Sequence, residues 1–218
     1  MSTFTTVTLP CPTCGVPAAR RLVESANAAR HPAFRAQILD GTFQRFVCGS
    51  CGGPSVYERE LLYTDLPRGQ LIGVFPSDRR GEGTALEPAF RRTMDTLAAE
   101  PGLRGRSPGL VRLVFGYPAL REKLVAADAG LDDRAVEALK LLLLARTGWA
   151  RSGSRGLLLV EASADTLVFE HVGVTDGGPI TSAVPRAMVR LEPALLALLP
   201  LPPDALWVDV ARIAAAAA

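Results

Sequence analysis

Four cysteines arranged as two close pairs constrain this chain more than any other feature. Cys11 and Cys14 form one Cys-x-x-Cys unit, and Cys48 and Cys51 form a second one after the intervening residues 15–47. This spacing is typical of a zinc ribbon, in which each pair makes a tight turn and the two turns share one tetrahedral ion. Zinc suits four thiolates because soft, deprotonated donors at about 2.3 Å complete its coordination shell. The sequence therefore predicts a structural zinc site without an open position for water.

The residues after each pair support this interpretation. Gly15 and Gly52 each follow the second cysteine of a pair, where a residue without Cβ lets the backbone turn left-handed and direct its amides at the sulfurs. One alternative with the same ligands is an iron site of the rubredoxin kind. A second alternative is four unrelated cysteines that are reduced and bind no metal. A thioredoxin-type redox pair would begin a helix in an alternating strand and helix pattern, whereas both pairs here follow strand patterns and precede turns.

The segments around the cysteines predict a small antiparallel sheet with one inserted helix. Strand patterns cover residues 4–9, 20–24, 43–47, 56–63 and 71–75. Pro32 suits the first position of the inserted helix and Gly41 suits the position after its end. Phe34, Ile38 and Leu39 can then share one face of that helix.

The remainder of the chain predicts a second α+β domain. Helical patterns cover residues 87–99, 118–127, 134–146 and 193–199, and strand patterns that predict a four-stranded antiparallel meander cover 157–161, 166–172, 183–191 and 206–213. Asp132 is the predicted N-cap of the helix 134–146, which is apolar almost all round and therefore predicted to be buried. Residues 77–84 have the composition of a surface linker. We therefore predict a zinc-ribbon-like domain over residues 1–78 and an α+β domain over 79–218.

Composition and charge exclude several classes of protein. Hydrophobic residues make up 48% and charged residues 21% of the chain, which excludes wholesale disorder. The 24 basic and 22 acidic side chains give a net charge of +2, far from the excess of a dedicated nucleic-acid binder. The start MSTFTTVTLP lacks the features of a secretory signal, and no apolar run reaches the roughly 18 residues of a membrane span. We expect a cytoplasmic protein that does not bind membranes, whose reduced cysteines ligate metal rather than form disulfides.

Several blocks of sequence resemble the bacterial CpXC-type proteins, a family named for its two cysteine motifs. The blocks are CPTCG at 11–15, ESANAARHPAFRAQILDGTF at 24–43, VCGSCG at 47–52 and ELLYTDLPRGQLIGVFP at 60–76. The likeness covers residues 8–76, and GLDDRAVEALK at 130–140 is similar to a motif in the C-terminal part of related proteins. The resemblance implies a cysteine-ligated metal with all four ligand positions present. Gly49 replaces the proline of the motif in the second pair, at a position that contributes backbone only.

The sequence contains no recognisable catalytic or cofactor-binding motif. Its two histidines, His31 and His171, lie outside HExxH and related patterns, and the chain lacks GxGxxG and GxxxxGK[ST]. Asp132 and Asp133 are interpreted as the start of a helix rather than as an acidic catalytic pair. We therefore predict no catalytic residues and no cofactor-binding residues beyond the metal ligands.

Three hypotheses about function follow. The leading one is a non-enzymatic zinc-binding protein whose C-terminal region is an interaction or assembly module for a protein partner or for self-association. The second is a nucleic-acid-binding zinc ribbon that uses the basic residues between 16 and 45. The side chains that would mix charge with stacking surface are Arg20, Arg21, Arg35, Arg45, Phe43, Phe46 and Tyr57. We expect the aromatic rings in the core, because a ribbon of this size has little other apolar mass. The third hypothesis is an enzyme with a site between the two halves of the chain.

Overall fold

The α+β class predicted from the sequence is confirmed by a computed structural model of the chain. The residues that it describes are 2–99, 109–146, 156–173, 178–191, 196, 199–202, 204–210 and 212–213. The chain divides into two units, Met1–Leu120 and Arg121–Ala218. Within the described ranges, no helix combines the length and the apolar character needed to cross a membrane.

The first unit is built on a five-stranded sheet. Its strands and helices are β1 (Thr3–Pro10), β2 (Pro17–Asn27), α1 (Pro32–Asp40), β3 (Arg45–Val47), β4 (Pro54–Val56), β5 (Leu61–Asp65), β6 (Gln70–Phe75), α2 (Gly83–Ala99) and β7 (Leu110–Phe115). The sheet has the order β1-β2-β5-β6-β7, while β3 and β4 form a separate antiparallel pair.

The five-stranded sheet differs from prediction in one respect, because it is mixed rather than purely antiparallel. The pairs β2–β5 and β6–β7 are parallel. The chain between β2 and β5 contains α1 and the β3–β4 pair, and α2 lies between β6 and β7. A long crossover of this kind returns the chain to the end of the sheet at which the earlier strand began, so the next strand runs parallel.

The inserted helix α1 begins and ends at the predicted residues. Pro32 is its first residue, and Gly41 closes it in the left-handed conformation, with a φ of 76°. The N–H of Gly41 donates to the carbonyls of Gln37 and Ile38, which satisfies acceptors left free at a helix end. Ile38 packs into the core with 2% of its surface exposed.

The predicted linker at 77–84 is helical. A short 3-10 helix covers Ser77–Glu82 and continues directly into α2 at Gly83. The sheet also extends beyond this segment, since β7 pairs with β6 in parallel. The domain boundary near Asp78 therefore stays a prediction, and the segment itself is not an extended connection.

Glu58 explains why the predicted strand 56–63 is interrupted. Its carboxylate accepts hydrogen bonds from the backbone N–H of Ser77 at 2.7 Å and from that of Tyr117 at 3.3 Å. Ser77 opens the 3-10 helix, and Tyr117 opens α3 (Tyr117–Asp128). A carboxylate is stabilising at a helix N-terminus, so one side chain supports the starts of two helices. The strands on either side of residues 57–60, β4 and β5, belong to different sheets.

The second unit is organised around an antiparallel meander. Its elements are the larger part of α3, α4 (Asp133–Arg146), β8 (Gly156–Ala162), β9 (Thr166–Val172) and β10 (Thr181–Pro185). The strand order is β10-β9-β8, which confirms the predicted hairpin. The apolar faces of α4 and of the strands form one buried cluster: Ala126, Ala135, Val136, Leu139, Leu143, Leu157, Leu159, Leu167, Phe169, Val184 and Val189.

The meander has three strands in the described residues, not the four predicted. The strand expected over 183–191 ends at Pro185 and is followed by a 3-10 helix, Arg186–Leu191. Of the strand expected over 206–213, the described residues form a single bridge at Trp207 and are helical at Val210, Arg212 and Ile213. The side chain of Asp209 accepts the N–H of Arg212 at 2.8 Å, and its carbonyl accepts the N–H of Ile213. The helix predicted at 193–199 lies outside the described residues except for positions 196 and 199.

The start of α4 agrees with prediction, but its buried surface does not. Asp132 accepts the N–H of Arg134 at 2.8 Å through its side chain, as expected of an N-cap. Two charged residues of the helix, Glu137 and Lys140, have side chains only 1% and 5% exposed. The core of the second unit therefore contains ionised groups that an apolar interpretation of α4 missed.

Those charges belong to one network between α3 and α4. The Nζ of Lys123 lies 3.0 Å from Asp133 and 2.9 Å from Glu137. The Nζ of Lys140 lies 2.9 Å from Glu122 and 2.8 Å from Glu137. Every charged group has a partner of opposite sign, which burial of an ion in a protein core requires.

Candidate metal centre

The first cysteine pair lies in the turn between β1 and β2. The N–H of Cys11 donates to the carbonyl of Val16 at 3.0 Å, and the N–H of Gly15 donates to the carbonyl of Cys11 at 2.9 Å. Gly15 has a φ of 73°, in the region where a side chain is strained. The amide of Thr13 lies 3.4 Å from the Cys11 Sγ. The turn thus places the cysteine sulfurs and the backbone amides on the same side.

The second pair repeats this geometry in the turn between β3 and β4. The N–H of Cys48 donates to the carbonyl of Gly53 at 2.9 Å, and that of Gly52 donates to the carbonyl of Cys48 at 2.9 Å. Gly52 has a φ of 70°. The amide of Gly53 lies 3.4 Å from the Cys51 Sγ. Two turns that are far apart in sequence therefore have the same backbone hydrogen bonds and the same glycine conformation.

The structure brings all four predicted ligands together. Their sulfur atoms lie within 4.8 Å of one another, and none of the cysteines is in a disulfide. The Sγ atoms of Cys11 and Cys51 are 3.8 Å apart, and those of Cys14 and Cys48 are 3.7 Å apart. A regular tetrahedron with metal–sulfur bonds of about 2.3 Å has edges of about 3.8 Å. The four cysteines could hold a metal ion.

The first cysteine of each pair is the buried one. Cys11 is 4% exposed and Cys48 is 3% exposed, whereas Cys14 and Cys51 are exposed. The following amides, that of Cys14 most, lower the pKa of Cys11 to about 6. The amide of Cys51 likewise has the largest effect in lowering the pKa of Cys48. Hydrogen bonds to a thiolate favour its charged form, which is the form that ligates metal.

The exposed Cys14 shows the opposite shift. The amide of Val16 lowers the pKa of this thiol, but hydrogen bonds to neighbouring cysteine side chains, that of Cys51 foremost, raise it to about 12. Four sulfurs this close cannot all ionise without a compensating positive charge, because like charges at short distance disfavour one another. The cluster is thus suited to a cation.

One of the arginines proposed for nucleic-acid binding is not on the surface. Arg35 is 8% exposed. Its Nη1 donates to the Tyr63 hydroxyl at 2.9 Å and to the Gln70 Oε1 at 3.0 Å, and it lies 3.8 Å from the Asp65 carboxylate. Arg35 is therefore part of the polar core beneath α1.

Two more of these arginines rest on aromatic rings. The guanidinium of Arg20 lies 5.3 Å from the Phe46 ring centre, and that of Arg21 lies 4.0 Å from the ring centre of Phe4. Phe43 is 3% exposed and packs edge-on against Tyr117, with ring centres 5.1 Å apart. For Phe43, the expectation of a core position is confirmed.

The histidines are placed separately in the two units. His31 precedes α1, and its ring centre lies 5.2 Å from that of Phe34. His171, on β9, has its Nε2 2.8 Å from the Ser182 hydroxyl on β10. Burial lowers the pKa of His171. Neither histidine belongs to the cysteine cluster, whose donors are the four sulfurs.

Sequence analysis missed a groove in the first unit. It has a volume of about 660 Å³ and is lined by apolar residues such as Leu62, Val74 and Phe90. Charged side chains at its rim are engaged with one another, since Arg79 pairs with Glu60 and Glu82. These three apolar residues come from β5, β6 and α2, so no short stretch of sequence signals the groove.

The comparison with protein families gives one match. The model of the family described as CpXC protein matches residues 9–140, which is more than half of the chain and includes all four cysteines. No curated protein and no solved structure matches significantly. The match agrees with the cysteine motifs and with the paired turns that bring them together. This chain belongs to the CpXC protein family.

Proposed function

We propose that Cys11, Cys14, Cys48 and Cys51 bind one zinc ion that fixes the β1–β2 turn against the β3–β4 turn. The observation that carries the proposal is the pair of Sγ–Sγ distances between the turns, 3.8 Å and 3.7 Å. These are the edges expected of a tetrahedral tetrathiolate zinc site. Zinc is favoured over iron because paired Cys-x-x-Cys turns of this kind are typical of structural zinc sites.

The proposed zinc is structural rather than catalytic. Catalytic zinc sites keep one position for water or substrate, whereas four thiolates fill a tetrahedral shell. The amide hydrogen bonds to the sulfurs spread the negative charge of the site into the two turns. The centre therefore supplies folding energy to a β3–β4 pair of only three residues per strand, which is too short to be stable alone.

Beyond the metal, we propose a non-enzymatic role as an interaction or assembly module in the cytoplasm, through the C-terminal region. Two large apolar side chains of the second unit support this, because Val172 is 41% exposed and Ile180 is 44% exposed. Both residues lie at the same end of the β9–β10 pair, where the N–H of His171 donates to the carbonyl of Ile180 at 2.8 Å.

Metal analysis tests the zinc site. Protein purified from cells supplied with both metals should contain one zinc per chain and no stoichiometric iron. Removal of the zinc by a chelator should unfold the β1–β2 and β3–β4 turns, because binding energy at such sites is folding energy. Iron in place of zinc would agree with the four ligands but contradict the proposal that the metal is zinc. The absence of both metals would contradict the metal site itself.

Association measurements test the interaction role. Sedimentation of the full chain, alone and with candidate partners, should reveal a complex that Val172→Ser and Ile180→Ser weaken. Val184→Ala, in the buried core of the same meander, controls for a general loss of stability. A chain that remains monomeric and binds no protein would contradict the proposed role without affecting the zinc site.

A further inference from the structure

We propose that the outer edge of β1 is a self-association site, where β1 of a second copy of this chain pairs antiparallel with it and joins two five-stranded sheets into one. This surface lies in the first unit and is independent of the C-terminal interaction role. The partner is defined by its chemistry as an uncharged, β-branched strand identical to β1 itself.

The first observation is that β1 is an edge strand of eight residues. It pairs with β2 along its whole extent, Thr3–Pro10, and lies at the end of the sheet order in the part of the chain that the structure describes. Alternate residues of an antiparallel strand direct their N–H and C=O groups away from the existing partner. The register directs Phe4, Thr6 and Thr8 outward in this way, whereas Pro10 has no N–H and its carbonyl accepts the Tyr57 hydroxyl at 3.0 Å.

The second observation is that β1 carries none of the features that normally protect an edge. Its sequence, TFTTVTLP, contains no charged residue, and its single proline is the last residue. Natural edge strands avoid pairing through lysines, inward-pointing charges, central prolines or bulges. The one irregularity of register falls at the very start, between Thr3 and Phe4. The register is regular from Phe4 onward, and residues 4–8 are the part of the edge proposed to pair.

The third observation is that β1 is complementary to itself. A twofold axis through Thr6, perpendicular to the sheet, places Thr6 opposite its own copy, Thr5 opposite the second copy's Val7, and Phe4 opposite the second copy's Thr8. Pairs of aromatic and β-branched residues stabilise antiparallel strands. A charged strand would face its own charge under such symmetry, because a twofold interface brings the same patch from both copies together. The lack of charge therefore favours a second copy over a charged partner strand.

The neighbouring strand shows that the lack of charge is local to the edge. β2, which lies inside β1 in the sheet, carries Arg20, Arg21 and Glu24. The Arg21 guanidinium lies over the Phe4 ring and so covers the sheet face rather than the edge. The outer edge of β1 remains free of charge along residues 3–10.

Sedimentation velocity of the full zinc-loaded chain at increasing concentration tests the proposal. The wild type should form a dimer, and Thr6→Lys/Thr8→Lys should be monomeric, because both positions are exposed and the lysine at position 6 would face its own copy across the twofold axis. Thr6→Ser/Thr8→Ser should still dimerise. Ala19→Lys should also dimerise, because Ala19 is exposed opposite Thr8 but lies on β2. Zinc content confirms that each variant is folded.

Amide hydrogen exchange gives a readout that does not depend on any variant. In the wild type, the outward-facing amides of residues 3–10 should become protected as the protein concentration rises. A monomeric wild type, a lysine variant that still dimerises, or β1 amides that exchange at a rate independent of concentration would overturn the proposal. If the chain as purified contains no zinc but still dimerises through β1, the proposed metal is contradicted and β1 pairing is supported.

Discussion

The Sγ atoms of Cys14 and Cys48 lie 3.7 Å apart, although the two residues are 34 positions apart in the chain. Cys14 is exposed and Cys48 is buried, yet each supplies one of four ligands. If the metal holds the turns together, Cys14→Ser and Cys48→Ser should both lose zinc and both abolish the cooperative unfolding of the first unit. Zinc content and near-ultraviolet circular dichroism measure these effects.

The matched control for the cysteine variants is Ser50→Ala, in the same turn as Cys48 but not a ligand. It should retain zinc and unfold at the wild-type temperature. If Cys14→Ser retained stoichiometric zinc and normal melting, the exposed sulfur would not be a ligand.

The left-handed backbone of the second turn predicts that alanine costs more stability at one of its glycines than at the other. At Gly52 the φ is 70°, and a Cβ there would meet no atom within 4 Å. Gly52→Ala should therefore lower the free energy of unfolding by about 1–2 kcal/mol through backbone strain alone. Gly49→Ala also meets no atom within 4 Å, and its φ lies outside the left-handed region, so it should change stability by less than about 0.5 kcal/mol. Urea unfolding of the zinc-loaded variants compares them, and equal losses would argue against the turn geometry.

The buried network predicts how the second unit responds to acid. Burial raises the pKa of Glu137, but Lys123 and Lys140 outweigh it and hold the pKa below its usual value. A lowered pKa means that the contribution of Glu137 is present above its unfolded-state pKa of about 4.3 and is lost as the pH falls through the folded-state value. Glu137→Gln should cost about 3–5 kcal/mol at neutral pH, because it leaves buried lysines underpaired. It should also flatten the acid limb of the stability profile.

The same network predicts an alkaline limb. Asp133 and Glu137 outweigh the effect of burial on Lys123 and raise its pKa. Its contribution is therefore present below the unfolded-state value of about 10.4 and is lost as the pH rises through the folded-state value. Urea titrations over a pH series measure both limbs. Glu161→Gln, at an exposed position on β8, is the control and should leave the profile unchanged. Identical profiles for the two glutamine variants would contradict the account.

Glu122 and Glu137 both contact Lys140, but replacing each by glutamine should cost a different amount of stability. Burial raises the pKa of Glu122, whereas the pKa of Glu137 is lowered. Glu137 also pairs with both Lys123 and Lys140, whereas Glu122 pairs with Lys140, so Glu122→Gln should cost less stability than Glu137→Gln. The reverse order in urea unfolding would show that the charges are distributed differently.

The contact between α2 and β6 predicts a steric effect. A Cβ at Gly73 would lie 2.8 Å from the Cζ of Phe90, so Gly73→Ala should destabilise the first unit by about 1–3 kcal/mol through overpacking. Adding Phe90→Leu should recover part of this loss, because the smaller side chain removes the clash. Gly81→Ala has no atom within 4 Å of the added Cβ and is the control. If Gly73→Ala and Gly81→Ala unfold at the same temperature, the close packing of Phe90 against Gly73 would be contradicted.

The cysteine cluster and the helix α1 could be predicted because their determinants are local. Cys-x-x-Cys followed by Gly15 or Gly52 specifies a turn, and two such turns predict one shared metal site. Pro32 and Gly41 similarly mark both ends of α1. The α+β class follows from periodicity, which depends on short windows of sequence.

The parts that sequence analysis missed depend on distant residues. The parallel pairing of β2 with β5 follows from the path of a crossover that no short window reveals. Arg35 is a basic residue on a short helix and is expected in solvent, but Tyr63 and Gln70 are brought to it by other strands. Glu137 and Lys140 appear as exceptions on an apolar helix, and their burial becomes favourable only when α3 supplies Lys123 and Glu122.

The most direct test of the central claim is zinc-edge X-ray absorption of the purified chain. Four sulfur neighbours at about 2.3 Å, with no nitrogen or oxygen in the first shell, are the result expected of a closed tetrathiolate site. Fewer than four sulfur neighbours, a light-atom ligand, or less than one zinc per chain would contradict it.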